Sequence, residues 1–78
     1  MKAVQKEAAP QNLNPLLDAV RNQLLLKNDA ALARKLEVAP PVISKMRHGR
    51  LPLGASAIIS IHEVTGWPVR DIKALAKA

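Results

Sequence analysis

The 78-residue sequence has no cysteine, no phenylalanine and no tyrosine, and Trp67 is its only aromatic residue. Without thiols, a disulfide framework, a thiolate zinc site and a cysteine nucleophile are all excluded. With a single aromatic ring, binding of single-stranded nucleic acid by base stacking is disfavoured. Only three glycines occur, and none builds a phosphate-cradling loop after a strand. Apolar runs are short of the roughly 20 residues that a membrane span needs, and no apolar segment follows Lys2 and Lys6 as a leader would require. The expectation is a soluble, cytoplasmic protein without membrane contact.

Acidic residues are also scarce. Twelve Lys and Arg stand against six Asp and Glu, a net charge of +6, which suits a polyanionic partner. Placement sharpens this: no acid lies between Val38 and His62, while Lys45, Arg47 and Arg50 fall close together. What is plentiful is Ala, Leu, Ile and Val, within a 49% apolar composition. That mixture favours packed helices over a sheet. A chain of this length forms one domain that buries only about 60% of its unfolded surface, so the core must be simple.

Residues 1–12 show no sustained periodicity and include Pro10, so a flexible N-terminal tail is expected there and a folded domain over 13–78. Asn14-Pro15 predicts a helix start, with Asn14 as cap and Pro15 in the first turn. Leu13, Leu16, Leu17, Val20 and Leu24 recur at helical spacing, and this first helix is expected to reach about Lys27. Asn28 can cap a second helix whose inward face is Leu32, Ala33 and Leu36. Pro40-Pro41 can occupy only a first turn, so a third helix begins there and closes at Gly49. Within it Ile43 and Met46 face inward, leaving Ser44, Lys45 and His48 outward. A fourth helix spans Ala55 to Val64, stopped by Gly66. A fifth follows Trp67-Pro68, with Val69, Ile72, Leu75 and Ala76 as its apolar face. Trp67, the largest side chain, is expected to anchor the last two helices against the first.

The second and third predicted helices, joined by a three- to four-residue turn, have the arrangement of a helix-turn-helix, whose second helix fits a DNA major groove. Ala33 offers the small side chain that a close helix crossing needs. The segment Asn28 to Pro52 resembles the Cro and lambda-repressor-like class of regulators. The resemblance is carried by Leu32-Ala33, Leu36 and Val38 around the turn, Ile43-Ser44, and Gly49-Arg50 with a following proline. It extends to Val64-Thr65-Gly66-Trp67 and Ile72.

That resemblance implies an all-α, five-helix, lambda-repressor-like domain that binds double-stranded DNA, often as a homodimer on a two-fold symmetric operator, here as a transcriptional repressor. It implies that Asn28 meets a phosphate, that Pro40, Pro41, Ser44, Lys45 and His48 face the major groove, and that Arg50 reaches the backbone or a minor groove. Arg47 joins the set as a basic residue of the same helix. The turn position often held by glycine is Glu37, which requires a left-handed backbone. Asp29 places a carboxylate where phosphate is expected, and repulsion would follow. The two prolines can read thymine methyls by apolar contact.

An enzyme is not expected. The two histidines lie 14 residues apart (48 and 62), outside metal-ligand spacing, and a Ser56, His62, Asp71 triad would lack a cleft to exclude water. No cofactor and no small-molecule ligand are expected. The alternative reading is a helical module, such as a degenerate regulator or antitoxin-like protein, binding a protein through Ile58, Ile59, Val69 and Trp67.

Overall fold

The computed structural model describes residues 12–76, so the tail expected over 1–12 lies outside the described residues except for Asn12. Among the described residues there are five α-helices and no strand: α1 Asn14–Leu24, α2 Asp29–Leu36, α3 Pro40–Arg47, α4 Ala55–Thr65 and α5 Val69–Leu75. The all-α reading holds. None of these helices is long and apolar enough to cross a membrane.

The start of α1 differs by one step from expectation. Asn14 is its first helical residue rather than its cap, and Asn12 Oδ1 accepts the Asn14 N–H at 3.1 Å. Pro15 is tolerated one position further in, because the second residue of a helix still has no intrahelical acceptor for its N–H. The helix also stops early, at Leu24. Leu25 turns left-handed (φ 57°, ψ 41°), and the N–H groups of Leu25 and Leu26 donate back to the carbonyls of Asn22 and Arg21. The Arg21 guanidinium then donates to the carbonyls of Leu26 and Lys27, at 3.4 and 2.7 Å, and holds the chain in its new direction.

The same six-residue closure recurs at two other helix ends. After α2, Glu37 is left-handed (φ 60°, ψ 42°), with Glu37 N–H on Arg34 O and Val38 N–H on Ala33 O. After α3, Gly49 is left-handed (φ 72°), with Gly49 N–H on Met46 O and Arg50 N–H on Lys45 O. This pairing satisfies carbonyls that a helix end otherwise leaves bare.

The core draws on every helix. Leu16, Leu17 and Val20 of α1, with Leu13 ahead of it, meet Leu32, Ala33 and Leu36 of α2, Ile43 and Met46 of α3, Ile61 of α4, and Ile72 and Ala76 from α5 and its end. Helix α1 touches all four others, whereas α3 packs only on α1 and α2. One long side of α3 is therefore left uncovered. Two apolar expectations need correction. Val69, at the first residue of α5, remains 42% exposed. Trp67 packs against the core's edge but is only half-buried, because it borders an open groove with Asp71, Ala74 and Leu75.

Candidate functional site

The sequence-predicted site residues gather on α3 and the two segments that flank it. Asn28, extended at φ −159°, caps α2 by accepting the Ala31 N–H on Oδ1 at 2.8 Å. A short acceptor just before a helix does this well because the first turn has N–H groups without intrahelical partners. Its side chain is exposed. The prolines open α3 without a side-chain cap, since their rings carry no N–H to satisfy.

Successive residues of an α-helix are rotated by about 100°, and this sorts α3 into two faces. Taking Ile43 as origin, Met46 stands at about 300° and Arg47 at about 40°, while Pro40, Ser44, His48, Pro41 and Lys45 occupy the arc from about 60° to about 200°. Burial follows this division. Ile43 and Met46 are 1% and 3% exposed, and all five residues of the other arc are solvent-exposed. Beyond the closing Gly49, Arg50 is exposed as well. Neither Lys45 nor Arg50 takes part in an ion pair among the described residues. Both cations are free for an external anion.

Arg47 is differently placed. Its Nε and Nη2 donate to Asp29 Oδ2 and Oδ1 at 2.9 and 2.8 Å, a bidentate pairing. Its Nη1 lies 2.8 Å from Asp18 Oδ1 and donates to Asn14 Oδ1 at 2.9 Å. Asn14 Nδ2 returns a bond to the Arg47 carbonyl at 3.2 Å. The side chain is 18% exposed, turned into the junction of α1, α2 and α3. The Arg47 hydrogen bonds hold the Asp29 carboxyl below its usual range, reinforced by the charges of Arg47 and Arg21, against a smaller opposing effect of burial. In return, Asp29 and then Asp18 raise the Arg47 pKa. Arg21 Nη1 lies 3.7 Å from Asp29 Oδ1, so two carboxylates and two guanidiniums form a cluster of no net charge. The repulsion expected from Asp29 is therefore largely cancelled.

Between α2 and α3 lies an open groove of about 270 Å³, lined by Asp29, Ala30, Pro40, Ser44, Arg47 and His48. It brings together four of the sequence-predicted residues, Pro40, Ser44, Arg47 and His48. Asn28, Pro41, Lys45 and Arg50 lie outside its lining. His62 is exposed, and its Nδ1 is 2.7 Å from the Trp67 carbonyl, a local contact across the α4–α5 turn. No cluster of three His, Asp or Glu suited to a metal occurs among the described residues.

Asn14 and Asp18 are the residues of this site that sequence reasoning missed. The periodicity of α3 carries a weak signal for them, since Arg47 falls at the boundary of the buried arc, where a guanidinium can turn inward and then requires partners. No protein-family model, curated protein or solved structure matches the chain.

Proposed function

We propose that the chain is a sequence-specific duplex-DNA-binding transcription regulator in which α2 and α3 are a lambda-repressor-like helix-turn-helix. The observation that carries this reading is the two-faced character of α3, an uncovered arc of Pro40, Pro41, Ser44, Lys45 and His48 opposite the buried Ile43 and Met46. A helix held by one face and bare on the other is what insertion into a major groove requires. Lys45 and Ser44 supply donors for base edges, the proline rings supply apolar contacts for thymine methyls, and Arg50 supplies a phosphate contact at the helix exit. Absence of acid between Val38 and His62 keeps this surface attractive to phosphate. The protein acts as a repressor in the cytoplasm, as a homodimer on a two-fold symmetric operator.

Selection of bound duplexes from a random library tests this. A symmetric consensus with half-sites about 10 bp apart, or a multiple of that, is expected. Absence of salt-sensitive duplex binding would remove the reading. The exposure of Ile59 (56%) and Val69 (42%) favours a second one, a protein-binding module acting through these residues with Ile58 and Trp67. It predicts partner capture without affinity for duplex.

A further inference from the structure

We infer that Arg47 serves duplex binding without touching the duplex, as a positioning residue that masks the Asp29 carboxylate and fixes the exit of α3. The inference rests on the DNA-binding reading of α3 and assigns Arg47 a different role from the other cations on that side. An arginine has five N–H groups. Four are engaged, two on Asp29, one on Asp18 and one on Asn14. One N–H remains, so a two-point hold on a phosphate would oblige the guanidinium to leave one of these partners at the edge of the groove that Ser44 and His48 also line. That exchange would trade one charge-assisted hydrogen bond for another and leave a carboxylate bare beside the phosphate, so it brings no gain.

Masking matters because Asp29 is the first residue of α2, next to the exposed Asn28, and its side chain is 41% exposed. A bare negative charge about 7 Å from a phosphate in water weakens binding about threefold by Coulomb's law. Positioning matters because α3 has only two fully buried side chains, both near one line along its axis. Beyond these and the partly buried Val42, Arg47 adds an attachment on the other side of that line, and it reaches α1 and α2 at once. Asn14 secures it from both ends, accepting from the guanidinium and donating to the carbonyl of the same residue.

The test compares the parent with Arg47→Gln, Asp29→Asn and the double variant, each titrated with a random-sequence duplex at several salt concentrations. In the unsubstituted protein, the Arg47 Nε–H resonance is followed as duplex is added. Expected are about a threefold or larger loss for Arg47→Gln, recovery to near-parental affinity in the double variant, and one salt slope throughout. The Nε–H signal stays in place while the backbone amides of Ser44 and Lys45 shift. A slope reduced by about 0.9 in both Arg47 variants, or an Nε–H signal that moves with the duplex, makes Arg47 a phosphate contact and overturns the inference alone. If the parent binds no duplex even at low salt, the DNA-binding reading and the inference fall together. The resonance measurement decides the matter even where Arg47→Gln fails to fold.

Discussion

Replacing Leu25 by glycine should stabilise the domain, although it removes a leucine. Leu25 closes α1 in the left-handed region and is 90% exposed, so its side chain contributes little burial. An L-residue held there costs roughly 1–2 kcal/mol, and glycine, which avoids that cost, forfeits about 0.5–1 kcal/mol through its greater freedom in the unfolded chain. The net gain is at most about 1.5 kcal/mol and about 0.75 kcal/mol at the centre of both ranges, and at about 4–8 °C per kcal/mol that central value raises the melting midpoint by about 3–6 °C. The two bonds of the closure, Leu25 N–H to Asn22 O and Leu26 N–H to Arg21 O, use only backbone atoms and survive the change. Leu25→Ala is the control: it removes the same exposed surface but keeps the left-handed penalty, so its midpoint should stay near the parent's. Thermal melts followed by circular dichroism read all three proteins. A lower midpoint for Leu25→Gly, or an equal rise for Leu25→Ala, would refute the reasoning, the second by locating the cost in the exposed side chain.

Ala33→Leu should lower stability by about 1–3 kcal/mol, because Ala33 is 1% exposed in the helix that packs on both α3 and α4 and the added carbons have no room; an unchanged melting midpoint would contradict this. Asp29 is depressed in the folded state, so the stability it contributes is complete above the unfolded value of 3.8 and disappears as pH falls below it. Melts across the acid range should therefore show a steeper fall for the parent than for Asp29→Asn. Arg50→Ala should weaken operator and scrambled duplexes alike and reduce the salt slope by about 0.9, whereas Lys45→Ala should relax preference at one or two base pairs by about 1–3 kcal/mol. Titration of both variants against both duplexes separates the two roles, and no effect from either removes α3 from the interface.

The elements around the proposed interface were legible because their signals are local. Asn28 offers an acceptor just before a helix, Pro40-Pro41 admit only a first turn, and Gly49 tolerates the left-handed stop; α3 starts and closes where those residues require. Glu37 required a left-handed backbone and has one. The end of α1 was not legible in the same way, because Leu25 carries no such mark and the apolar run Leu24 to Leu26 reads as continuing helix. What ends it is a backbone closure reinforced by Arg21, five and six residues back along the chain from the carbonyls it binds. Arg47 was hardest to read. Composition makes it one of several cations on a basic stretch, and its partners Asp29 and Asp18 are distant in sequence and converge only when three helices pack.

This convergence bears on how so small a domain can present a bare helical face. Each residue that α3 gives to the core is lost to recognition, and with eight residues and about 100° between neighbours the two demands divide one circle. Ile43 and Met46 take the part facing α1 and α2, and the outward arc is left to Pro40, Pro41, Ser44, Lys45 and His48. Val42 adds a partly buried contact beside Met46, and any further apolar anchor would have to come from the outward arc or extend the helix past Gly49. Arg47 avoids both, because it sits at the boundary of the arcs and its long side chain reaches α1 and α2 from there. Its charge brings the cluster of Asp18, Asp29 and Arg21 from one net negative charge to neutrality. On the DNA-binding reading, the field at α3 is then set by the free cations Lys45 and Arg50, and the bound one sets the direction in which they point.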